Sequence, residues 1–143
     1  MTGEIDARFR DMFARQGFGM LAGTQLESCA DGQAVVTLIP RPEVLQARGF
    51  VHGGCLCLMH DLAAGMASFS LTQPGEHLLS STINMHFLRP GVGERIIARG
   101  SVIRHGARLS LSESRIVAIR DGEEFLVATG TMSCAIGSDS ANP

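Results

Sequence analysis

The stretch from Gln46 to Ser68 constrains the fold more than any other part of the sequence, because it sets one acidic residue inside an otherwise apolar helix. Turn residues precede Gly53, and after Gly54 about fifteen positions are rich in Ala, Leu and Met. This pattern predicts a buried helix that begins at the two glycines and whose first backbone amides attract an anion. An unpaired carboxylate in apolar surroundings costs several kcal/mol, so Asp61 within this helix needs a functional or structural reason.

Strand patterns occupy most of the remaining sequence. Six segments rich in apolar and β-branched residues lie between turn residues, at 24–28, 33–39, 78–89, 94–104, 108–120 and 124–136. The last four are separated by glycine-containing turns at spacings that suit an antiparallel meander. The expected fold class is α+β, an antiparallel sheet of about six strands with one long helix inserted after the second strand and with helices on one face. A doubly wound parallel sheet would require repeated helices, which the pattern does not supply.

The length of 143 residues fits a single domain with one core. Near the start of the chain, apolar residues recur at helical spacing, at Ile5, Phe9, Met12 and Phe13. They predict a short amphipathic helix over residues 4–15 that covers the fold. We therefore divide the chain into an N-terminal helical segment at 1–17, a main domain at 18–136 and a flexible polar tail at 137–143.

Composition and charge exclude several functional classes. A formal net charge of -2 and an isoelectric point near 6.2 give no basic surface, so we expect no nucleic-acid partner. The apolar stretch at 55–71 contains Asp61 and is shorter than the roughly 20 residues that cross a bilayer, so we expect no membrane span. The protein is expected to be cytoplasmic.

The four cysteines predict neither a disulfide framework nor a metal site. They include no CxxC pair, and on one helix Cys55 and Cys57 point about 200° apart. The nearby His52, His60 and Asp61 therefore cannot join both thiols around one ion. We expect the cysteines to behave as small buried apolar residues.

Six residues in and before the predicted helix form a motif: Gln46, Gly49, His52-Gly53-Gly54 and Asp61. With Asn-Met-His-Phe-Leu-Arg-Pro at 84–90 and the segment 98–104, the motif resembles the hotdog-fold acyl-CoA thioesterases, the group of PaaI-type phenylacetyl-CoA and hydroxybenzoyl-CoA thioesterases. The amide lies six positions before the histidine and the acid nine positions after it, which makes the match more specific than His-Gly-Gly alone. The resemblance covers residues 18–136. It implies a hotdog fold and a hydrolase without a metal or organic cofactor.

The resemblance also implies a role for each catalytic candidate. Asp61 matches the catalytic acid, acting as nucleophile or as general base to water. The amide of Gly53 matches the donor that polarises the thioester carbonyl, and Gln46 matches an assisting amide side chain. His52 matches the histidine that positions the carbonyl or the loop. A serine on the following strand often orients the acid or the water in this family, and Ser80 is its closest match.

Small residues near Asp61 are candidates for contact with the substrate. Gly65 and Ser68 follow the acid on the predicted helix, and Gly54 lets a substrate approach the backbone closely. These residues either leave room for an acyl group or permit close helix packing, and the sequence allows both. Many similar proteins carry Ser or Thr where Gly65 stands, so this chain lacks the hydroxyl that contacts the substrate or the acid in those proteins.

Three basic residues are candidates for binding coenzyme A. Basic side chains at strand ends hold its phosphates in similar proteins, and Arg89, Arg104 and Arg108 lie at such positions. The alternative for each arginine is ordinary surface charge.

Gly53 and Asp61 are eight residues apart, which on a helix is about 12 Å along the axis. One helix therefore cannot bring both groups to the same carbonyl carbon, and the sequence predicts only one such helix. We expect a homodimer, or a dimer of dimers, with each site formed at a subunit interface by two copies of the chain.

The predicted function is hydrolysis of an acyl-CoA thioester to a free acid and coenzyme A. Unpaired amides at a helix start suit the negative charge that develops on the carbonyl oxygen. The alternative is a noncatalytic acyl-CoA-binding module with the same fold. A dehydratase or hydratase would need a different arrangement of histidine and acid. The sequence contains no Gly-x-Ser-x-Gly nucleophile motif, which argues against an α/β-hydrolase.

Overall fold

The structure, a computed structural model, describes residues 4–139. Its helices are α1 (Ala7–Ala14), α2 (Gly17–Ala22) and α3 (Gly53–Phe69), with a 3-10 turn at Pro42–Val44. Its strands are β1 (Gln25–Ala30), β2 (Gln33–Leu38), β3 (Glu76–Phe87), β4 (Arg95–His105), β5 (Leu109–Arg120) and β6 (Glu123–Ser138). Six antiparallel strands and one long helix confirm the predicted fold class. The outermost parts of the two predicted terminal segments, 1–3 and 140–143, lie outside the described residues.

The strands pair in the order β1-β2-β4-β5-β6-β3. The strands β4, β5 and β6 form the expected meander, but β3 pairs with β6 instead of β4. The prediction of one meander through all four long strands is therefore wrong. The segment 88–94 carries the chain from one edge of the sheet to its middle, and a crossover of this kind is not specified by local turn residues.

The helix α3 lies directly against the sheet. Six of its residues have no exposed surface, among them Met59, Ala63 and Ala67. A Cβ atom at Gly100 of β4 would lie 2.2 Å from the carbonyl oxygen of Ala63, so only glycine permits this approach of helix backbone to strand. Although α3 has 17 residues, no helix within residues 4–139 is long and apolar enough to cross a membrane.

The N-terminal helix α1 is fixed to the end of α3 by Arg8. Its guanidinium donates hydrogen bonds to the Thr72 carbonyl at 2.8 Å, to Thr72 Oγ1 at 2.7 Å and to the Gln73 carbonyl at 3.0 Å. The same group stacks 4.4 Å from the centre of the Phe69 ring, which also meets Phe9 edge to face. These contacts give α1 a defined position over the C-terminal half of α3.

The helix α2 is not identified by the sequence pattern. Two of its six residues are glycines, which normally indicate a loop. A Cβ atom at Gly19 would lie 2.9 Å from Leu62 Cδ1 and 3.0 Å from Thr24 Oγ1, so a larger residue here would force these side chains to shift.

A row of buried serines on β5 faces α3. Ser114 Oγ lies 2.6 Å from His60 Nδ1, and Ser110 Oγ donates to Ser68 Oγ at 2.9 Å. Between them, Ser112 Oγ has no hydrogen-bond partner among the residues that the structure describes. The interface between helix and sheet is therefore partly polar, with one hydroxyl left unsatisfied.

The edge strand β3 is long and exposed. It pairs on one side only, with β6. Large apolar side chains lie along it, with exposed fractions of 71% for Leu79, 43% for Ile83 and 52% for Phe87. An apolar edge strand of this length is a template for pairing with another chain unless it is covered.

Candidate active site

The start of α3 carries one free backbone amide. His52 is the N-cap residue: its Nδ1 accepts a hydrogen bond from the Gly54 amide at 2.8 Å, and its carbonyl accepts from the amides of Cys55 and Leu56. Within the described part of the chain, the Gly53 amide has no acceptor. Gly53 therefore presents an unpaired donor at the positive end of the helix dipole, as the sequence predicts for an oxyanion site.

The Gly53 amide lies beside a cavity of about 350 Å³ that Gln46, Phe87 and Arg89 also line. The Gln46 side-chain oxygen accepts a hydrogen bond from the Arg48 backbone amide. The Gln46 backbone closes the turn at 46–50: its N–H donates to the Phe50 carbonyl, and its carbonyl accepts from the Gly49 amide. The structure therefore brings Gln46 and Gly53 to one cavity, with Arg89 at its edge.

Asp61 is held by one hydroxyl group. Ser80 Oγ on β3 donates to Asp61 Oδ1 at 2.8 Å. The pairing register of β3 shifts immediately after Ser80, and the neighbouring Ser81 bonds instead to Ser133. The serine contact expected for the acid is thus made by Ser80.

A second cavity, of about 160 Å³, opens beside Asp61 and Ser80. Gly65 lines it, and a Cβ atom on this glycine would meet nothing within 4 Å. Besides Asp61, Gly65 and Ser80, the residues that line this cavity are not predicted from the sequence, Met12 and Gln16 of the N-terminal region among them. Met12 belongs to the apolar face predicted for the N-terminal helix, a signal that indicates burial but not which cavity the side chain borders.

Cys134 and His60, two ionisable neighbours of Asp61, are held uncharged. Burial raises the pKa of the Cys134 thiol, which lines the same cavity, and the Asp61 carboxylate raises it further. His60 is fully buried, and its burial lowers its pKa. Neither group is activated as a nucleophile or as a charged acid. The other ionisable side chains that line this cavity are Asp61 and His77, and His77 Nδ1 lies 3.8 Å from Asp139 Oδ1.

Some predicted residues are not brought to the site. Ser68 is fully buried and bonded to Ser110, so the prediction that it contacts substrate is wrong: it has no surface to offer. Arg104 and Arg108 line a cavity of about 390 Å³ at the turn between β4 and β5. Arg89 precedes the other end of β4, an 11-residue strand that spans about 35 Å, so the three arginines do not form one cluster in a protomer.

Gly54 lies apart from both cavities described above. With His52 it lines a larger apolar cavity of about 700 Å³ between α2, the 3-10 turn and the start of α3. Phe18 and Leu21 of α2 form much of its apolar wall. No group of three His, Cys, Asp or Glu side chains in residues 4–139 is placed to hold a metal ion.

Gly53 and Asp61 thus open into different cavities of one protomer. At about 12 Å along the helix axis, they cannot act on the same carbonyl group within one chain. One cavity is lined by Gly53, whose backbone N–H is free among the described residues, and the other by the Asp61 carboxylate.

Comparison with known proteins gives consistent relatives. A model of the thioesterase superfamily matches residues 48–124, which include the start of α3, Asp61 and Ser80. A medium/long-chain acyl-CoA thioesterase of Escherichia coli, YigI, is 27% identical over 104 residues, 64% of this chain. The match spans 65% of the length of that relative.

Solved structures cover more of the chain. A thioesterase family protein from Silicibacter pomeroyi superposes with a TM-score of 0.89 at 30% identity, covering 92% of this chain and 96% of its own. The Escherichia coli PaaI protein, from the phenylacetic acid degradation operon, gives a TM-score of 0.79 at 25% identity and covers 90% and 91%. Because the family model matches more than half of its residues and these folds coincide along nearly its whole length, the chain belongs to the thioesterase superfamily.

Proposed function

We propose that this protein is an acyl-CoA thioesterase that hydrolyses the thioester to a free acid and coenzyme A. The observation that carries the proposal is the division of labour on α3: a free amide at Gly53, and Asp61 engaged by Ser80 beside a cavity. Acyl transfer needs a donor for the developing oxyanion and a group that activates or supplies the nucleophile.

Asp61 acts by one of two routes, both compatible with its contacts. Ser80 occupies Oδ1, which leaves Oδ2 free. As general base, Oδ2 takes a proton from water while the water oxygen bonds to the carbonyl carbon. As nucleophile, the carboxylate bonds to that carbon itself, and water hydrolyses the resulting anhydride. In either route the carbonyl oxygen gains negative charge that the Gly53 amide stabilises, the C–S bond breaks, and coenzyme A leaves as a thiolate that is then protonated.

We propose that two protomers form each site, in a homodimer or a dimer of dimers. The support is twofold: Gly53 and Asp61 face separate cavities, and the apolar edge of β3 is open to pairing. Antiparallel pairing of two β3 strands about a twofold axis would bring the Gly53 end of one copy toward the Asp61 end of the other.

Arg89 is proposed as a contact for the coenzyme A phosphates because it borders the cavity of Gly53. Arg104 and Arg108 lie toward the other end of the sheet, so they would take part from the partner subunit. If these charges bind phosphate, free coenzyme A inhibits competitively and its inhibition constant rises with salt. Equal efficiency on acyl thioesters that lack the nucleotide would contradict this assignment.

Thiol release from a panel of acyl-CoAs tests the proposed function. Asp61→Asn keeps the size of the side chain and an acceptor for Ser80 but removes the base, so turnover should fall by about 100- to 10,000-fold. The matched control is Asp31→Asn, in a turn where Asn tolerates the positive φ of 50°. Binding of acyl-CoA without thiol release by the unaltered protein would refute hydrolysis and identify the noncatalytic alternative.

A further inference from the structure

We infer that α1 forms the end wall of the acyl-binding pocket and limits the acyl group to about the size of a benzene ring. The inference rests on the proposed function, because it assigns the cavity beside Asp61 to the acyl portion of the thioester. The carbonyl carbon has to lie within reach of Asp61 for the reaction to occur. The first acyl carbons, one bond away, therefore lie in the cavity that Asp61 lines.

The composition of this cavity suits an apolar group. Much of its wall is formed by Leu62, Met66, Phe69 and Leu78, and Met12 lies on the α1 side. Besides Asp61 and Ser80, the polar or ionisable side chains in the lining are Gln16, His77 and Cys134. The absence of a side chain at Gly65 leaves the space next to the acid open. Burial against these side chains would stabilise a hydrocarbon group in proportion to its apolar area.

The volume of the cavity sets the size of its occupant. The part of the pocket that one protomer forms measures about 160 Å³ and is open on one side. For comparison, an enclosed apolar cavity of about 150 Å³ in a protein core accommodates one benzene molecule. A benzoyl or hexanoyl group fits such a space. A long alkyl chain would have to displace a wall.

The wall that would have to move is α1, and it is firmly held. Arg8 makes three hydrogen bonds to Thr72 and Gln73 and stacks on Phe69. Met12 lies one helical turn after Arg8, so the anchor fixes the side chain that closes the cavity. The position of α1 is therefore a built-in limit on acyl length.

The larger cavity beside His52 does not serve as the acyl pocket. It is lined by Gly54, whose amide is already bonded to His52. Gly53, whose amide is free within the described chain, lines instead the cavity that Phe87 and Arg89 also line. The acyl group of a thioester bound at Gly53 therefore does not extend into the larger cavity.

Hydrolysis of benzoyl-, hexanoyl-, decanoyl- and palmitoyl-CoA tests the inference through ratios of kcat/KM. The unaltered protein should favour benzoyl or hexanoyl over decanoyl by about tenfold or more. Met12→Ala should raise the ratio of decanoyl to benzoyl by about tenfold or more, since each further methylene that the opened cavity buries contributes about fourfold. The matched control is Met20→Ala, a methionine of α2 that is half exposed and lines none of these cavities, which should leave the ratios unchanged.

A second variant acts in the opposite direction and does not depend on the folding of the first. Gly65→Leu places a side chain in open space of the cavity, so the ratio of acetyl- to benzoyl-CoA hydrolysis should rise by about tenfold or more. A preference of the unaltered protein for decanoyl or palmitoyl, or unchanged ratios in both variants, would overturn the inference and leave the thioesterase function standing. Absence of thiol release from every substrate would instead reject the proposed function.

Discussion

Mixing two differently inactivated chains tests whether each site is built from two protomers. Asp61→Ala removes the proposed base and leaves the Gly53 amide intact. Gly53→Val leaves Asp61 intact but sets a branched side chain where the thioester oxygen has to approach the amide. The fold should accept this change, because a Cβ atom at Gly53 would meet the Phe87 ring at 3.6 and 3.7 Å, ordinary contact distances.

Because Gly53 and Asp61 are about 12 Å apart along α3, each site should take one of them from each protomer, and this sets the expected recovery. Alone, each variant should retain about 1% of the activity or less, because loss of a base or an oxyanion donor each costs about 100-fold or more. In a mixed dimer, one site collects both lesions and the other collects neither. Random exchange makes about half of the dimers mixed, so the activity should recover to roughly a quarter of that of the unaltered protein.

The assay is thiol release before and after subunit exchange, with exchange verified by native mass spectrometry of chains of different mass. The control mixes Asp61→Ala with Ser80→Ala. Because Ser80 and Asp61 bond within one protomer, every site of this mixture still carries a lesion and no recovery is expected. If the Asp61 and Gly53 variants exchange fully and stay inactive together, the site lies within one chain and the two-protomer argument is wrong.

Three further predictions concern stability and are measured by thermal unfolding. Ser114→Ala removes the hydrogen-bond partner of His60 Nδ1 and should lower the free energy of unfolding by about 1–3 kcal/mol. Ser112→Ala removes an unsatisfied hydroxyl and should leave stability unchanged or raise it. Equal effects of the two variants would contradict the hydrogen bonds described. Burial lowers the pKa of His60 in the folded protein, so as the pH falls the unfolded chain takes up a proton at a higher pH than the folded protein does. Stability should therefore fall as the pH drops below about 6.5, by up to about 1.4 kcal/mol per pH unit. This dependence should persist in His86→Gln and weaken in His60→Gln. Gly65→Ala fills open space in mid-helix and should stabilise the fold by about 1 kcal/mol while slowing hydrolysis of benzoyl-CoA; a loss of stability would mean that the space is occupied.

Local patterns predict most of the secondary structure. Turn residues mark the ends of the long strands, and the paired glycines at 53 and 54 mark the start of α3. The position of β3 beside β6 is different in kind, since pairing between distant strands depends on a crossover that no single turn encodes. The small helix α2 is not detected because its two glycines resemble a loop, although Gly19 packs against Leu62.

The candidate site is predictable where it depends on spacing along the chain. The pairing of Asp61 with Ser80 and the free amide of Gly53 both occur as expected. Helical periodicity could not separate Gly65 from Ser68, because both share a stripe with the acid, and only the packing of β5 draws the serine into the interior. The role of Met12 as a cavity wall depends on where Arg8 anchors its helix, which is a contact between distant residues.

The anchoring of α1 separates two properties that many enzymes combine in the same side chains. In the proposed mechanism the reactive groups lie on α3 and β3, whereas the proposed limit on acyl size depends on a short helix that supplies no reactive group. Substitutions in α1 are therefore expected to change which thioesters are accepted without changing the reactive groups. A few N-terminal substitutions would then be enough to alter the substrate range during evolution. The same separation offers the engineer a place to graft new selectivity onto an unchanged catalytic scaffold.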